Sequence, residues 1–170
     1  REKGQETLLE SMKTVIQELH ETVLLVVGDG PDRQHLEAMA KKLGIDGHVK
    51  WLGQIDHDEV LRLYSVMDVV VVPSLFEGFG LAAAEAMVAA RPVVASSVDG
   101  LTELVENEVT GLLVPPGDKS GLSQALVRLL SDPPRAALMG ACGREFVQKN
   151  FSLERFQSTI LAAYSHFLQA

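Results

Sequence analysis

The chain has 170 residues and a formal net charge of −8, which arises from 23 acidic and 15 basic residues. A length of this order predicts one domain that buries roughly 70% of its unfolded surface. The acidic excess argues against nucleic acid as a partner, because a protein that binds the phosphate backbone needs a basic face. A single cysteine, Cys142, leaves no internal disulfide and no cysteine-based metal cage, and the five histidines lack ligand spacing.

Five short apolar runs predict β-strands, and a helical pattern separates each run from the next. These runs occupy residues 23–27, 49–52, 69–72, 93–96 and 112–114. They are rich in valine and leucine, as expected for strands that helices cover on both faces. The alternation predicts an α/β fold with one domain over residues 1–170, in which a doubly wound, parallel, Rossmann-like sheet carries helices on both faces. Ligands of such sheets bind beyond the carboxyl ends of the strands.

The first predicted strand is followed by the turn GDGP at residues 28–31, which begins like a dinucleotide-binding fingerprint. Its third glycine position holds Arg33, and no acidic residue closes a recognisable next strand, so the pattern argues against nicotinamide cofactors. Gly28 and Gly30 are more simply explained as a tight turn that opens a helix over residues 33–43. Because this turn lies at a strand's carboxyl end, we predict that Gly28 borders a ligand site.

The segment PSLFEGFGLAAAEAM, residues 73–87, contains the most informative pattern of the chain. A buried strand ends just before it, and an alanine-rich helix is predicted over residues 81–90. The first N–H groups of a helix have no partner inside it and are electropositive. Phe79, Gly80 and Leu81 are therefore predicted to present donors to an anion. Gly78 and Gly80 let the ligand approach the backbone closely.

Two carboxylates flank this turn, since Glu77 precedes the helix and Glu85 lies about a turn inside it. An ionised carboxylate accepts hydroxyl hydrogen bonds strongly, and sugars offer rows of hydroxyl donors. A lone glutamate on such a helix is usually just solvated. Its combination with the glycine-bracketed turn favours a phosphorylated sugar nucleotide as the ligand. Ser74, at the end of the strand, is predicted either to lie near the nucleotide or to stabilise the turn through its hydroxyl.

These residues carry a resemblance to the carboxyl-terminal nucleotide-sugar-binding domain of a group 1 (family 4) glycosyltransferase, a two-domain enzyme of the GT-B type. The similarity covers nearly the whole chain, and the central segment is its most specific part. The following segments fall in the family's order: EKGQETLLESM, LLVVGDGPDRQHLEAMAKKLG, VKWLGQI, LRLYSVMDVVVVPSLFEGFGLAAAEAM, RPVVAS, GLLVPPGD and FSLERF.

The resemblance implies a role for each residue of the site. Glu77 would contact hydroxyls of the donor sugar, the turn amides at residues 79–81 would hold the sugar and the diphosphate, and Glu85 would bind the nucleotide ribose. In the family a basic pair near the start of the domain grips the diphosphate, and Lys3 matches its lysine. Alternatively, Lys3 is a solvated end residue. Arg1 lies too near Lys3 to match the pair's arginine, which is therefore expected upstream.

The resemblance also implies an activity: transfer of a hexose, with retention of configuration, from a UDP- or GDP-sugar to a saccharide, lipid or other acceptor. We expect no metal, since backbone donors and basic side chains can stabilise the departing diphosphate, and we expect the Asp-x-Asp metal motif common in other glycosyltransferases to be absent. The amino-terminal acceptor domain lies outside this chain, which is expected to be inactive alone. Two alternatives remain: another GT-B enzyme, such as a sugar-nucleotide epimerase or phosphorylase, or a non-catalytic module that binds a nucleotide sugar.

The family's domain opens with a strand in the middle of the sheet, and this chain begins beyond that strand. We therefore expect a gap beside the ligand site. Polypeptide upstream of Arg1 or a partner molecule, including a second copy in a dimer, is expected to fill it. No apolar stretch approaches the ~20 residues that span a bilayer. We expect a cytoplasmic protein, and the inner face of the membrane, where family members often work, is included in that expectation.

One departure from the family concerns the end of the predicted helix at residues 81–90. Ala90 stands where the family usually has glycine. A helix end favours a left-handed residue, and glycine adopts that conformation without strain whereas alanine does not. We therefore expect this helix to end differently.

Overall fold

The computed structural model describes residues 2–168, so Arg1 lies outside the described residues. Helices and strands alternate along most of this part of the chain, as the apolar runs predict. Within it, no helix is both long enough and apolar enough to cross a membrane. In chain order the elements are α1 (Gln5–Glu18), β1 (Leu24–Val27), α2 (Arg33–Leu43), β2 (Val49–Gly53), α3 (His57–Tyr64), β3 (Val70–Val72), α4 (Leu81–Val88), β4 (Val93–Ser96), α5 (Asp99–Leu104), β5 (Gly111–Val114), α6 (Lys119–Leu130), α7 (Pro133–Asn150) and α8 (Leu153–Leu168).

The strands pair in parallel, as predicted. β1 pairs with β2, with Leu24 opposite Val49. β4 lies between β3 and β5, with Val94 opposite Val71 on one side and Leu112 on the other. Over residues 2–168, β1 does not pair with β3, so the five strands form a two-stranded and a three-stranded sheet. This arrangement agrees with the expected break in the sheet beside the ligand site.

Helices cover the three-stranded sheet on both faces, because successive residues of a strand point to opposite sides. In β4, Val93 and Ala95 belong to a cluster with Met87 of α4, whereas Val94 belongs to a second cluster with Leu9 of α1. All three β4 side chains are completely buried. Each fully buried valine of this kind contributes about 1.5–3 kcal/mol. The α/β fold with helices on both sides is therefore confirmed.

The observed boundaries lie close to the predicted ones. Every strand begins and ends within one residue of its predicted apolar run, and α2 matches its predicted range. The largest difference in these elements is in α4, which ends at Val88 rather than at Ala90. Apolar periodicity and turn residues predicted these element boundaries because both signals depend only on a few neighbouring residues.

The end of α4 corrects one expectation. Ala90 has a φ of 56°, the left-handed conformation that costs alanine ~1 kcal/mol. Two backbone hydrogen bonds close the turn: the Ala90 N–H donates to the Met87 carbonyl and the Arg91 N–H donates to the Ala86 carbonyl, each at 2.9 Å. These bonds hold the left-handed geometry although glycine is absent. The expectation that this helix ends differently was wrong.

Candidate functional site

The loop between β3 and α4 contains the centre of the predicted site. Gly80 is the N-cap of α4 and has a φ of 92°, a conformation that favours glycine. A Cβ atom at Gly80 would lie 2.5 Å from Cδ2 of Leu101. Among the described residues, no side chain caps this helix end, so its first amides, beginning with Leu81, are left for another acceptor. Gly78, Phe79 and Leu81 are exposed, and Gly80 is buried.

The start of α5 packs directly against this loop. The Gly100 N–H donates to the Glu77 carbonyl at 3.2 Å. A Cβ atom at Gly100 would overlap the Gly78 carbonyl and the Phe79 amide. On another side of the loop, the Phe79 ring packs edge-on against Phe151, which follows α7, with 5.4 Å between the ring centroids. Gly100 was not predicted as a site residue, because a glycine near a helix start carries no signal of what packs against it.

Glu77, Lys3 and Ser74 meet at the carboxyl end of β3. The Lys3 ammonium lies 2.7 Å from Glu77 Oε2, and the Ser74 hydroxyl donates to the same oxygen at 3.1 Å. The hydrogen bond from Lys3 is the main cause of a lowered Glu77 pKa; burial opposes it, and the hydrogen bond from Ser74 adds a smaller lowering. The carboxylate is therefore ionised at neutral pH. Ser74 is buried, and its contact with Glu77 fits the turn-stabilising role.

Backbone contacts place Lys3 beside this carboxylate. The Leu75 N–H donates to the Glu2 carbonyl at 2.7 Å. Gly4 has a φ of 67° and packs so closely on Pro73 that a Cβ atom would overlap the Pro73 carbonyl oxygen. The segment that precedes α1 is thus attached to the loop that follows β3. These contacts hold Lys3 against Glu77 at the candidate site.

Glu85 lies one turn further along α4 and has different partners. The Tyr64 hydroxyl donates to Glu85 Oε2 at 3.1 Å and lies 3.3 Å from the Ala82 carbonyl oxygen. Nε2 of His57 lies 3.8 Å from the other carboxylate oxygen, Oε1. Burial and then the neighbouring carboxylate raise the pKa of Tyr64 well above its ordinary value. Neither Tyr64 nor His57 was predicted as a site residue. Tyr64 lies within a segment that matches the family, but the sequence alone does not show that α3 packs beside Glu85.

Two adjoining cavities border the site, and Lys3 lines both. The first, of about 360 Å³, runs between β1 and β3 and is also lined by Ser74 and Glu77. The second, of about 490 Å³, is lined by Gly28 and the rest of the GDGP turn. Lys3 therefore lies between the cavity lined by Gly28 and the cavity lined by Glu77. Glu85 does not line either cavity.

The expectation that the chain lacks an Asp-x-Asp motif was wrong. The chain does contain an Asp-x-Asp tripeptide, Asp56-His57-Asp58, at the start of α3. Within residues 2–168, the structure contains no group of three or more His, Cys, Asp or Glu side chains that could hold a metal ion. The tripeptide is nonetheless close to the site, because its histidine faces Glu85.

This arrangement suits a ligand that carries both an anionic group and several hydroxyls. The amino end of α4 offers backbone donors, and Lys3 offers a point charge beside them. Glu77 and Glu85, which flank this helix end along the chain, are carboxylates that can accept hydrogen bonds from hydroxyl groups. The structure therefore brings together Lys3, Ser74, Glu77, Gly78, Phe79, Gly80, Leu81 and Glu85 around one loop and helix end.

A comparison with known families agrees with this chemistry. The family described as glycosyl transferases group 1 matches residues 1–146. The chain belongs to this family. Its parallel sheets and covering helices are those of the carboxyl-terminal domain of a GT-B glycosyltransferase, so the resemblance stated above is confirmed.

Known group 1 glycosyltransferases and related structures extend well beyond this chain. An uncharacterized glycosyltransferase of Methanocaldococcus jannaschii is 40% identical over 77% of this chain and 33% of its own length. Sucrose-phosphate synthase from Thermosynechococcus elongatus superimposes with a TM-score of 0.88 at 39% identity, over 99% of this chain and 43% of that one. Anabaena HepE, solved with UDP-glucose, superimposes with a TM-score of 0.87 at 27% identity, over 97% of this chain and 46% of the HepE chain. This chain thus spans less than half of each.

Proposed function

We propose that this chain is the donor-binding domain of a retaining glycosyltransferase that transfers a hexose from a UDP- or GDP-sugar to a saccharide, lipid or other acceptor. The observation that carries the proposal is the placement of Glu77 and Glu85 on either side of the uncapped amino end of α4. The UDP-glucose complex of the structurally similar Anabaena protein supports a nucleotide sugar as the donor.

The geometry suggests how the donor is divided along the site. Glu77 accepts hydrogen bonds from donor-sugar hydroxyls, and the amides at Phe79, Gly80 and Leu81 bind the sugar and the diphosphate. Lys3 has three N–H donors, of which one contacts Glu77, so the same ammonium can bridge the carboxylate and a phosphate oxygen. Glu85 accepts the ribose hydroxyls.

The chemical step needs positive charge where the diphosphate departs. Lys3 and the aligned amides of α4 supply that charge from groups already placed at the helix end, which lowers the cost of reorganisation during the reaction. We propose that the reaction needs no metal. Activity of the full-length enzyme should survive EDTA. Loss of activity with EDTA and its recovery with Mg²⁺ or Mn²⁺ would contradict this, and would direct attention to Asp56 and Asp58.

The chain spans less than half the length of the relatives reported above. We propose that an acceptor-binding domain faces the β3–α4 loop and closes across it, so that the chain alone catalyses nothing. We place the full protein in the cytoplasm, including the inner face of the membrane. Phosphate-dependent turnover, or release of a free sugar-nucleotide product without any acceptor, would instead identify a different GT-B enzyme.

The groove between β1 and β3 is a candidate position for one further strand. Its walls include Val26 and Val27 on one side and Val71 and Val72 on the other. We propose that an extended segment, from polypeptide before Arg1 or from a second molecule, pairs with both edges. Hydrogen exchange on the full-length protein should show slow exchange along both β1 and β3. Rapid exchange at the edges that face the groove would contradict the proposal.

A thermal-shift panel on the full-length protein tests the assignment of the donor. UDP, GDP and ADP, each with and without an attached hexose, are compared for the parent, Glu85→Ala and the exposed control Glu103→Ala. A true ligand at a hundredfold excess over its Kd stabilises the fold by ~2.7 kcal/mol. Loss of that stabilisation in Glu85→Ala, with the control unchanged, would support the ribose role. An unchanged response in Glu85→Ala would remove it.

A further inference from the structure

The two oxygens of the Glu85 carboxylate have different surroundings. Oε2 accepts a hydrogen bond from the Tyr64 hydroxyl, whereas Oε1 lies 3.8 Å from the exposed His57 ring, beyond hydrogen-bond distance. The Glu85 side chain is 27% exposed, so it is accessible from solvent. One oxygen is therefore engaged by the protein, and the other keeps its lone pairs for a ligand.

The ring of Tyr64 is fixed by packing rather than by solvent contacts. Tyr64 is the last residue of α3, is 5% exposed, and belongs to the apolar cluster that contains Met87 and Leu101. Its raised pKa keeps the hydroxyl protonated, so that it donates to Glu85 whenever that carboxylate is ionised. The same hydroxyl lies 3.3 Å from the Ala82 carbonyl, in the first turn of α4.

A glutamate side chain must lose rotational freedom before it can bind a ligand in one geometry. A hydrogen bond from a rigid partner removes part of that freedom in advance, which is the general basis of preorganisation. Here the partner lies on a different helix, α3, and its hydroxyl contacts Glu85 one turn beyond the amides of the predicted anion site. The hydrogen bond thereby limits the positions that the carboxylate can take relative to those amides.

We propose that Tyr64 is a positioning residue, which holds Oε2 of Glu85 so that Oε1 is presented to the ribose hydroxyls of a nucleoside diphosphate. This inference rests on the proposed function, because it takes Glu85 as the ribose acceptor. It adds a residue on a different helix, with no direct ligand contact, as a determinant of ribose recognition.

The test compares ligands that differ only in the ribose hydroxyls. Titration calorimetry on the full-length protein measures Kd for UDP and for 2′,3′-dideoxy-UDP, and for GDP and its dideoxy analogue. The ratio of dideoxy Kd to ribose Kd reports recognition of the hydroxyls. Tyr64→Phe keeps the ring and removes only the hydrogen bond. The other tyrosine, Tyr164, is exposed on α8, so Tyr164→Phe is the matched control.

We expect Tyr64→Phe to lower this ratio about three- to tenfold, the range for loss of one hydrogen bond, while the Kd of the dideoxy ligands stays unchanged. An unchanged ratio, or equal weakening of ribose and dideoxy ligands, would overturn the positioning role. Glu85→Ala should bring the ratio to about one. If Glu85→Ala keeps the parent ratio, or the parent shows no preference for ribose, the ribose role of Glu85 itself fails.

Discussion

Lys3 and Glu77 lie 74 positions apart in the chain, and their side chains meet in an ion pair of 2.7 Å. The pair joins the segment before α1 to the loop after β3, where the Leu75 amide and the Glu2 carbonyl are also bonded. Both side chains belong to the candidate site. The charge of Lys3 favours the ionised form of Glu77, and we propose that the same ammonium also binds an anion.

Lys3→Ala should weaken UDP binding about tenfold, because a charge-assisted contact to the diphosphate is lost. The pKa of Glu77 should also rise from its lowered value towards the ordinary one. Calorimetry measures the first effect, and a carbon-13 NMR titration of the carboxyl measures the second. Lys42→Ala, an exposed lysine on α2, is the charge-matched control. Unchanged affinity in Lys3→Ala would refute a phosphate role for this residue.

Gly100→Ala should displace the loop between β3 and α4, because α5 packs directly against that loop at Gly100. The added Cβ atom would overlap the Gly78 carbonyl and the Phe79 amide, so either α5 or the loop must move. We expect a loss of about 1–3 kcal/mol in unfolding free energy, as for other overpacked positions, together with weaker UDP binding. Gly47→Ala serves as the control because nothing lies within 4 Å of its Cβ position. Equal behaviour of the two variants would contradict the prediction.

Ala90→Gly should stabilise the chain by up to about 1 kcal/mol, because glycine adopts the left-handed conformation without strain. Ala89 is the neighbouring control, with an ordinary φ of −77°. Ala89→Gly is expected to destabilise the chain by about 0.5–1 kcal/mol through the greater freedom of the unfolded backbone. Urea unfolding of both variants gives the two values. Destabilisation by Ala90→Gly would show that the strain is absent.

Glu108 predicts a pH dependence of stability. Its carboxylate accepts hydrogen bonds from Arg128 at 2.6 Å and from Arg135 at 2.7 Å. Arg128 is the main cause of a lowered Glu108 pKa. A lowered pKa means that the stabilisation is fully present above the ordinary glutamate pKa and is lost as the pH falls through the lowered value.

Glu108→Gln should therefore be less stable than the parent at pH 7, and the difference should shrink as the solution becomes acidic. The variant keeps the positive φ of residue 108, so the backbone strain is the same in both proteins. Urea unfolding across a pH series measures the difference. In an Arg128→Gln background the effect of Glu108→Gln should be smaller, as a double-mutant cycle requires for coupled residues. A pH-independent difference would argue against the ion pair.

Much of the fold was accessible from the sequence because the relevant signals are local. The apolar runs predicted all five strands to within one residue, and the glycine-bracketed turn before α4 predicted the helix end at Gly80. The left-handed Ala90 was not predicted. Sequence propensity gives only the backbone conformation that alanine usually prefers. The hydrogen bonds that close the end of α4 impose the left-handed conformation on Ala90.

By itself, the sequence determined the alternation of strands and helices, the family, and the carboxylates Glu77 and Glu85 as candidates, because these depend on neighbours within a few positions. Only the tertiary structure decided which side chains hold those carboxylates. Lys3 reaches Glu77 through the packing of Gly4 on Pro73, and Tyr64 reaches Glu85 from another helix. Such contacts join distant parts of the chain, and their geometry is set by the packing of the whole core.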